Sequence, residues 1–207
     1  MPDSVVRRLS RYLMMVQRLS QQGAEWVSSL ELAEALGLTS STVRQDLSHL
    51  DFSGISKRGY STTGLAASLA RALGADREIP VVVVGAGNLG RALAQHEEFG
   101  RQGFKICGIF DRDARLVGER VGAHTVREIK DLPAVMSSGG VEIGIIAVPP
   151  GAAQEVADRL IMAGVRGLLN MTTAHILVPG KVSVVDARIV ACLQELTYAI
   201  KTVGMVG

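Results

Sequence analysis

Three glycines, Gly85, Gly87 and Gly90, stand in the spacing G-x-G-x-x-G directly after the apolar run Val81-Val82-Val83-Val84. A β-branched run of this kind suits a buried parallel strand. Each glycine then has its own task. Gly85 permits a tight turn, Gly87 lets a pyrophosphate approach the backbone, and Gly90 lets the next helix pack close to the strand. Ala86, Asn88 and Leu89 complete the loop, and a helix expected over residues 88–97 would aim N–H groups at the anion. A second expected strand, 104–110, runs into Asp111, twenty-one residues after Gly90. A carboxylate there accepts from ribose hydroxyls and repels a 2′-phosphate, which favours NAD(H) over NADP(H). Arg112 beside it would cover the adenine face.

A different chemistry is written around Arg44. Ser40, Ser41 and Thr42 are small hydroxyls at the expected start of a helix, where exposed N–H groups suit a phosphate. Arg44 and Gln45 are long enough to reach base edges, and Ser48 and His49 share their polar side. Val43, Leu47 and Leu50 are spaced to bury on the other face. In residues 53–62, two glycines bracket the basic pair Lys57-Arg58, and Tyr60 follows. A glycine-bounded hairpin with a basic tip after a reading helix suits a wing that touches phosphate or the minor groove. The alternative is an ordinary solvated helix face and a surface loop.

These residues need positioning elements. Val5, Leu9, Tyr12, Leu13 and Val16 share one face of an expected helix over 5–19. A second helix starts at Ser28-Ser29, where Ser28 and Glu31 have capping-box spacing, and stops at Gly37. The third follows Leu38, with Thr39 or Ser40 as N-cap, and continues to about residue 50. Two helices joined by a short turn containing Gly form the helix-turn-helix pattern. A further helix over 63–73 ends at Gly74.

After residue 78 the pattern alternates between short apolar runs and helical segments, as in an α/β fold. A helix is expected over 132–136, a strand over 141–148, a helix over 152–162, a strand over 167–169 and a last strand over 181–185. Val148 ends its strand, and Pro149, Asn170 and Thr172 follow theirs, at the carboxyl edge of the sheet, where ligands bind in doubly wound folds. They are candidate neighbours of the nicotinamide, or simply turn residues. Asp186 is expected to N-cap a final helix through Ala191, Leu193, Leu196 and Ile200; a switch contact is the sharper reading. That helix is apolar on more than one side and needs another element or another subunit to cover it. The expected domains are 1–77, a winged helix-turn-helix; 78–183, a Rossmann domain; and 184–207, a dimerisation helix.

Composition narrows the function. The 207 residues are 47% apolar and 20% charged, which excludes global disorder. No run reaches the ~18 apolar residues of a membrane span, and a cytoplasmic protein is expected. The formal net charge of +2 lies wholly in residues 1–77, which hold 9 basic and 7 acidic side chains. Cys107 and Cys192 lack a metal-ligand spacing, and both are expected in the core. His96, His124 and His175 stand in no catalytic constellation, and Tyr198 and Lys201 lack a supporting Ser. Only 27 residues follow position 180, too few for a substrate domain. A sensor is therefore expected, with no catalytic residues and no metal.

The chain resembles the Rex family of redox-sensing transcriptional repressors over nearly its whole length. The resemblance is carried by Ser41-Thr-Val-Arg-Gln-Asp-Leu-Ser48, Lys57-Arg-Gly-Tyr60, Val84-Gly-Ala-Gly-Asn-Leu-Gly-Arg-Ala-Leu93, Gly108-Ile-Phe-Asp111, Ala147-Val-Pro149, Gly164-Val-Arg-Gly-Leu-Leu-Asn170 and Val185-Asp186. It implies a homodimer whose terminal helix is exchanged between subunits. It implies binding to double-stranded operator DNA when NAD+ dominates, and release when NADH binds. The family pattern usually has Arg-Lys where Arg44-Gln45 stand, a longer glycine-rich wing, Tyr at His96, Arg near Met14 and an aromatic at Ala187. Asp186 keeps its place, and His96 could pair with it. A regulator whose Rossmann domain serves only dimerisation or another ligand is the second reading, and a small NAD-dependent oxidoreductase the third.

Overall fold

The chain divides into two compact units, Met1–Arg77 and Glu78–Gly207. The structure, a computed structural model, describes residues 1–203.

The first unit begins with α1 (Asp3–Gln21), which starts and ends two residues beyond the expected 5–19. Asp3 in its first turn suits the positive end of the helix. The five apolar residues expected to share a face are all buried. Next come β1 (Trp26–Val27), α2 (Ser29–Leu36) and α3 (Ser40–Leu47). The capping box of α2 forms in full: Glu31 N donates to Ser28 Oγ at 3.1 Å, and Ser28 N to Glu31 Oε2 at 2.7 Å. Gly37 ends α2 at φ +66°, a conformation a side chain rarely adopts. The N-cap of α3 is Thr39, whose Oγ1 accepts from Thr42 N.

Helix α3 stops at Leu47, short of the expected residue 50. Ser48 Oγ donates to Gln45 O, and His49 N and Leu50 N reach back only three residues, to Asp46 O and Leu47 O. Side-chain competition for a carbonyl and a tightened last turn end the helix there. Val43, Leu47 and Leu50 are buried as expected, in one core with α1, Leu65 and Leu69. The unit closes with β2 (Tyr60–Ser61) and α4 (Thr62–Leu73), capped by Gly74.

The second unit is a doubly wound sheet. Its elements are β3 (Ile79–Val84), α5 (Asn88–Ala94), α6 (Glu97–Arg101), β4 (Phe104–Asp111), β5 (Arg120–Val121) and β6 (His124–Glu128). Then follow α7 (Leu132–Gly139), β7 (Ile143–Ile146), α8 (Ala153–Met162), β8 (Gly167–Asn170), β9 (Ser183–Asp186) and α9 (Ile189–Val203), with single 3₁₀ turns before α7 and α8. The strand order is β5-β6-β4-β3-β7-β8-β9, parallel throughout except for the β5–β6 pair. The order reverses between β3 and β7, the place where such folds bind ligands. Val82, Val84, Phe110 and Ile146 bury on one sheet face, and Val81, Val83, Ile109 and Ile145 on the other.

Several expectations change here. The helix expected over 88–97 breaks at Gln95-His96 into α5 and α6. His96 N bonds Leu93 O in a three-residue turn, and His96 then takes an extended conformation ahead of the acidic start of α6. Strand β7 is shorter than 141–148, although Glu142 N and Ala147 N still bond to Pro80 O and Val84 O on β3. Strands β5 and β6 were not expected. The last strand reaches Asp186, so the sheet extends past residue 183. Asp186 is a strand residue, not the cap of α9, which begins three residues later. Residues 204–207 lie outside the described residues. Cys107 packs partly buried against the core, whereas Cys192 on α9 is exposed rather than buried.

Candidate functional sites

The loop after β3 has the geometry its glycines suggest. Gly85 sits at φ +108°, and a Cβ there would fall 2.2 Å from Ala147 O. A Cβ on Gly90 would fall 1.7 Å from Gly85 O, so α5 can pack at this distance only without a side chain. Gly87 has nothing within 4 Å of its missing Cβ. It is exposed, and it occupies the N-cap of α5 with no side-chain cap, leaving space beside the backbone for a ligand. Asn88 and Leu89 are exposed at the start of α5, and Ala86 is buried.

Asp111 ends β4 with its carboxylate turned to this loop. Its Oδ2 accepts from Ala86 N at 2.6 Å, and its Oδ1 from Asp113 N at 2.9 Å. A carboxylate has about four lone-pair sites, so this one can accept further hydrogen bonds. Arg112 is exposed beside it. The sequence reading missed Arg91, whose Nε donates to Ala86 O at 2.7 Å while its other end pairs with Glu119. Between them, Asp111 and Arg91 hold the two polar backbone groups of Ala86.

Beyond β7 and β8 the candidate residues divide. Val148 is half-buried and Pro149 exposed on the loop after β7. Asn170 is fully buried and Thr172 nearly so. Asn170 Oδ1 accepts from Thr172 N and Oγ1, and its Nδ2 donates to Ala174 O and to Asp186 Oδ1 at 2.7 Å. Every polar atom of this side chain is thus used to shape the loop after β8 and tie it to β9. Asp186 also pairs with Arg188. His96 packs its ring against Phe99, with centroids 5.2 Å apart.

In the first unit, α3 presents one stripe outward. Ser41, Arg44, Gln45 and Ser48 are exposed at spacing i, i+3, i+4, i+7, opposite Val43, Asp46 and Leu47. Ser40 and Thr42 are half-buried at its start, where Thr39 Oγ1 lies 2.8 Å from Ser41 Oγ and 2.9 Å from Thr42 Oγ1. Arg44 Nη1 donates to Ser29 Oγ on α2 at 3.3 Å. His49 is exposed but lies on the turn after α3, at the end away from the hydroxyls.

The hairpin expected over 53–62 forms differently. Its ladder is a single bridge, Ile55 to Gly59, and β2 pairs instead with β1, Val27 opposite Tyr60 and Trp26 opposite Ser61. Lys57 stands at the tip with φ +64°, and both Lys57 and Arg58 are exposed. Tyr60 points elsewhere: it is half-buried, 6.5 Å from the Phe52 ring, and packs against the core.

Asp46 was missed as well. It is a charged residue on the buried arc of α3, which its spacing from Val43 and Leu47 could have signalled. Arg8 grips it with Nε at 2.6 Å and Nη2 at 2.8 Å, and Tyr12 Oη donates to it at 2.8 Å. The Arg8 guanidinium holds the Asp46 carboxyl below the usual carboxylate range, and burial raises the Tyr12 hydroxyl. The triad ties α1 to α3. Among the described residues no cluster of three or more His, Cys, Asp or Glu could hold a metal ion, and no helix is long and apolar enough to cross a membrane.

Residues 1–48 match the family described as putative DNA-binding protein N-terminus, and residues 76–174 the family described as CoA binding domain. The redox-sensing transcriptional repressor Rex of Roseiflexus sp. (strain RS-1) is 40% identical over 197 residues, 95% of this chain and 90% of that protein. Redox-sensing transcriptional repressor Rex 1 of Thermotoga maritima is 42% identical over 200 residues, 96% and 95% of the two chains. The crystal structure of RSP, a Rex-family repressor, with β-NADH matches at TM-score 0.89 and 32% identity over 100% of this chain and 97% of that one. RSP with β-NAD+ and operator DNA matches at TM-score 0.89 and 31% identity, over 100% and 95%.

A helix-turn-helix unit followed by a dinucleotide-type α/β unit defines a transcriptional regulator with its own ligand domain. The similarity runs through both units at once. The chain belongs to the Rex family of redox-sensing transcriptional repressors.

Proposed function

We propose that this chain is a cytoplasmic, homodimeric repressor that binds double-stranded operator DNA and releases it when NADH binds. One observation carries the reading most: the same fold, over 95% or more of each chain, is found with NADH and with NAD+ plus operator DNA in RSP. In this chain Ser41, Arg44 and Gln45 would face the major groove from the start of α3, where reading helices contact bases. Lys57 and Arg58 would meet the backbone or minor groove. Gly85, Ala86, Gly87, Asn88, Leu89 and Gly90 would cradle the pyrophosphate, with Asp111 on the adenosine ribose and Arg112 at the adenine. Val148 and Pro149 would border the nicotinamide. Asn170, Thr172 and Asp186 would act by shaping that edge.

Coenzyme A shares the adenosine diphosphate that such a loop holds, but it carries a phosphate on the ribose. Asp111 beside the ribose opposes that extra charge, which supports NAD(H) as the ligand. NADH must bind the DNA-incompetent state more tightly than the DNA-competent one, and by linkage DNA then weakens NADH by the same factor. The test uses a duplex selected from a randomised pool by the protein itself. NADH is expected to release this duplex at concentrations where NAD+ does not. Equal effects of both nucleotides would support a Rossmann unit kept for dimerisation or another ligand.

A further inference from the structure

The chain's single tryptophan, Trp26, lies on β1 beneath the wing. The Arg58 guanidinium carbon stands 4.0 Å from the centroid of its ring. Arg58 is exposed and Trp26 half-buried, so the ring is anchored in the unit and the cation faces solvent.

The backbone fixes this meeting. Ile55 N donates to Gly59 O at 2.7 Å, Gly59 N to Ile55 O at 2.9 Å and Arg58 N to Ile55 O at 3.0 Å, closing the turn that carries Arg58. Gly59 at φ +93° passes so close to β1 that a Cβ would fall 2.5 Å from Val27 O. The turn is thereby pressed onto the strand that holds Trp26, and the pairing of Trp26 with Ser61 sets the register. The side chain before Gly59 then lies across the ring.

We propose that Trp26 is a positioning residue for DNA binding: it holds Arg58 flat so that the guanidinium edge meets a DNA phosphate. This rests on the DNA-binding reading above. A stacked guanidinium spends its face on the ring and keeps its in-plane N–H groups for a bidentate bond to an anion. A free arginine on a wing would lose its rotamer freedom on binding, and one already stacked has lost most of it beforehand. Lysine has no plane to stack in this way, so Lys57 at the tip is not a substitute.

The test is a double-mutant cycle read by fluorescence anisotropy with a short labelled duplex of random sequence at low salt, because a phosphate contact is blind to sequence. Trp26→Leu is expected to weaken binding about two- to fivefold, the range of an exposed cation–π contact. In an Arg58→Gln background the same change is expected to do nothing. Arg58→Gln in the free protein is expected to alter Trp26 emission, and NADH affinity should stay unchanged in Trp26→Leu. Equal losses in both backgrounds, or no loss in either, would overturn the proposal. If Trp26→Leu does not fold, Arg58→Lys carries the test: it keeps the charge and loses the plane, and unchanged affinity overturns the proposal. Failure of the wild-type protein to bind the duplex would overturn the DNA reading and this proposal together.

Discussion

Arg44 and Asp46 stand two residues apart on α3 and face opposite ways. Arg44 is exposed on the outward stripe, and Asp46 is 2% exposed beneath it. If Arg44 contacts a base, Arg44→Ala costs about 1–3 kcal/mol on the selected duplex and little on random DNA, as competition binding would show. An equal loss on both would make it a phosphate contact. Asp46→Asn removes the charge opposite Arg8 and replaces one of the two oxygens that Arg8 and Tyr12 share with an NH2 donor. The melting temperature of the first unit should fall in this variant, because the buried side chain no longer neutralises Arg8. The pair also sets an acid limit. Asp46 has a lowered pKa in the folded chain, so its contribution is full above the ordinary 3.8 and is lost as pH falls through the lowered value. Melting of the first unit should therefore lose stability below pH 3.8 in the wild-type chain, and Asp46→Asn should flatten that limb. At the other site, Asp111→Ala is expected to weaken NADH in calorimetry and to narrow its advantage over NADPH. An unchanged ratio would remove the acid from the ribose.

The loop between β3 and α5 makes a second contrast, between two glycines of one motif. Gly90→Ala forces a Cβ against Gly85 O, so α5 must move and both NADH affinity and thermal stability should fall. Gly87→Ala meets open space. It should leave the melting temperature nearly unchanged and weaken NADH alone, because the added methyl would stand where the proposed cradle receives the pyrophosphate. This loop was legible in the sequence since its glycines answer a steric demand that is local. The capping box of α2 was legible for the same reason. The end of α3 was not, because Ser48 and the two tightened turns after it leave the apolar spacing through Leu50 intact. Strand β6 was missed because Val126 is its one buried residue and its other side chains are polar; β4 beside it makes it a strand. The pairing behind the wing was not legible for a related reason: β2 pairs across more than thirty residues with β1, and nothing between Gly54 and Gly59 names that partner. Trp26 was overlooked with it.

At the scale of the whole molecule, α9 stands out among the described elements for its uncovered apolar side chains. Ile189, Val190, Leu193, Leu196, Tyr198 and Ile200 are 56–72% exposed, more apolar side chain than a lone surface helix needs to show. Its apolar character was visible in the sequence, but what covers it is not set by one chain's spacing. A second copy is the occupant that fits the proposed homodimer. Ending the chain after Arg188 is then expected to convert a dimer to a monomer in sedimentation, and to weaken binding to a two-fold symmetric duplex more than to one half of it. The proposed redox response belongs to this scale too, since it would couple a ligand site in the second unit to a DNA surface in the first. Linkage makes the coupling measurable from either end. The most direct test is calorimetric titration of NADH into the free protein and into its complex with the selected duplex. The account predicts clearly weaker NADH binding to the complex, with DNA released as NADH saturates. The same NADH affinity in both would contradict it.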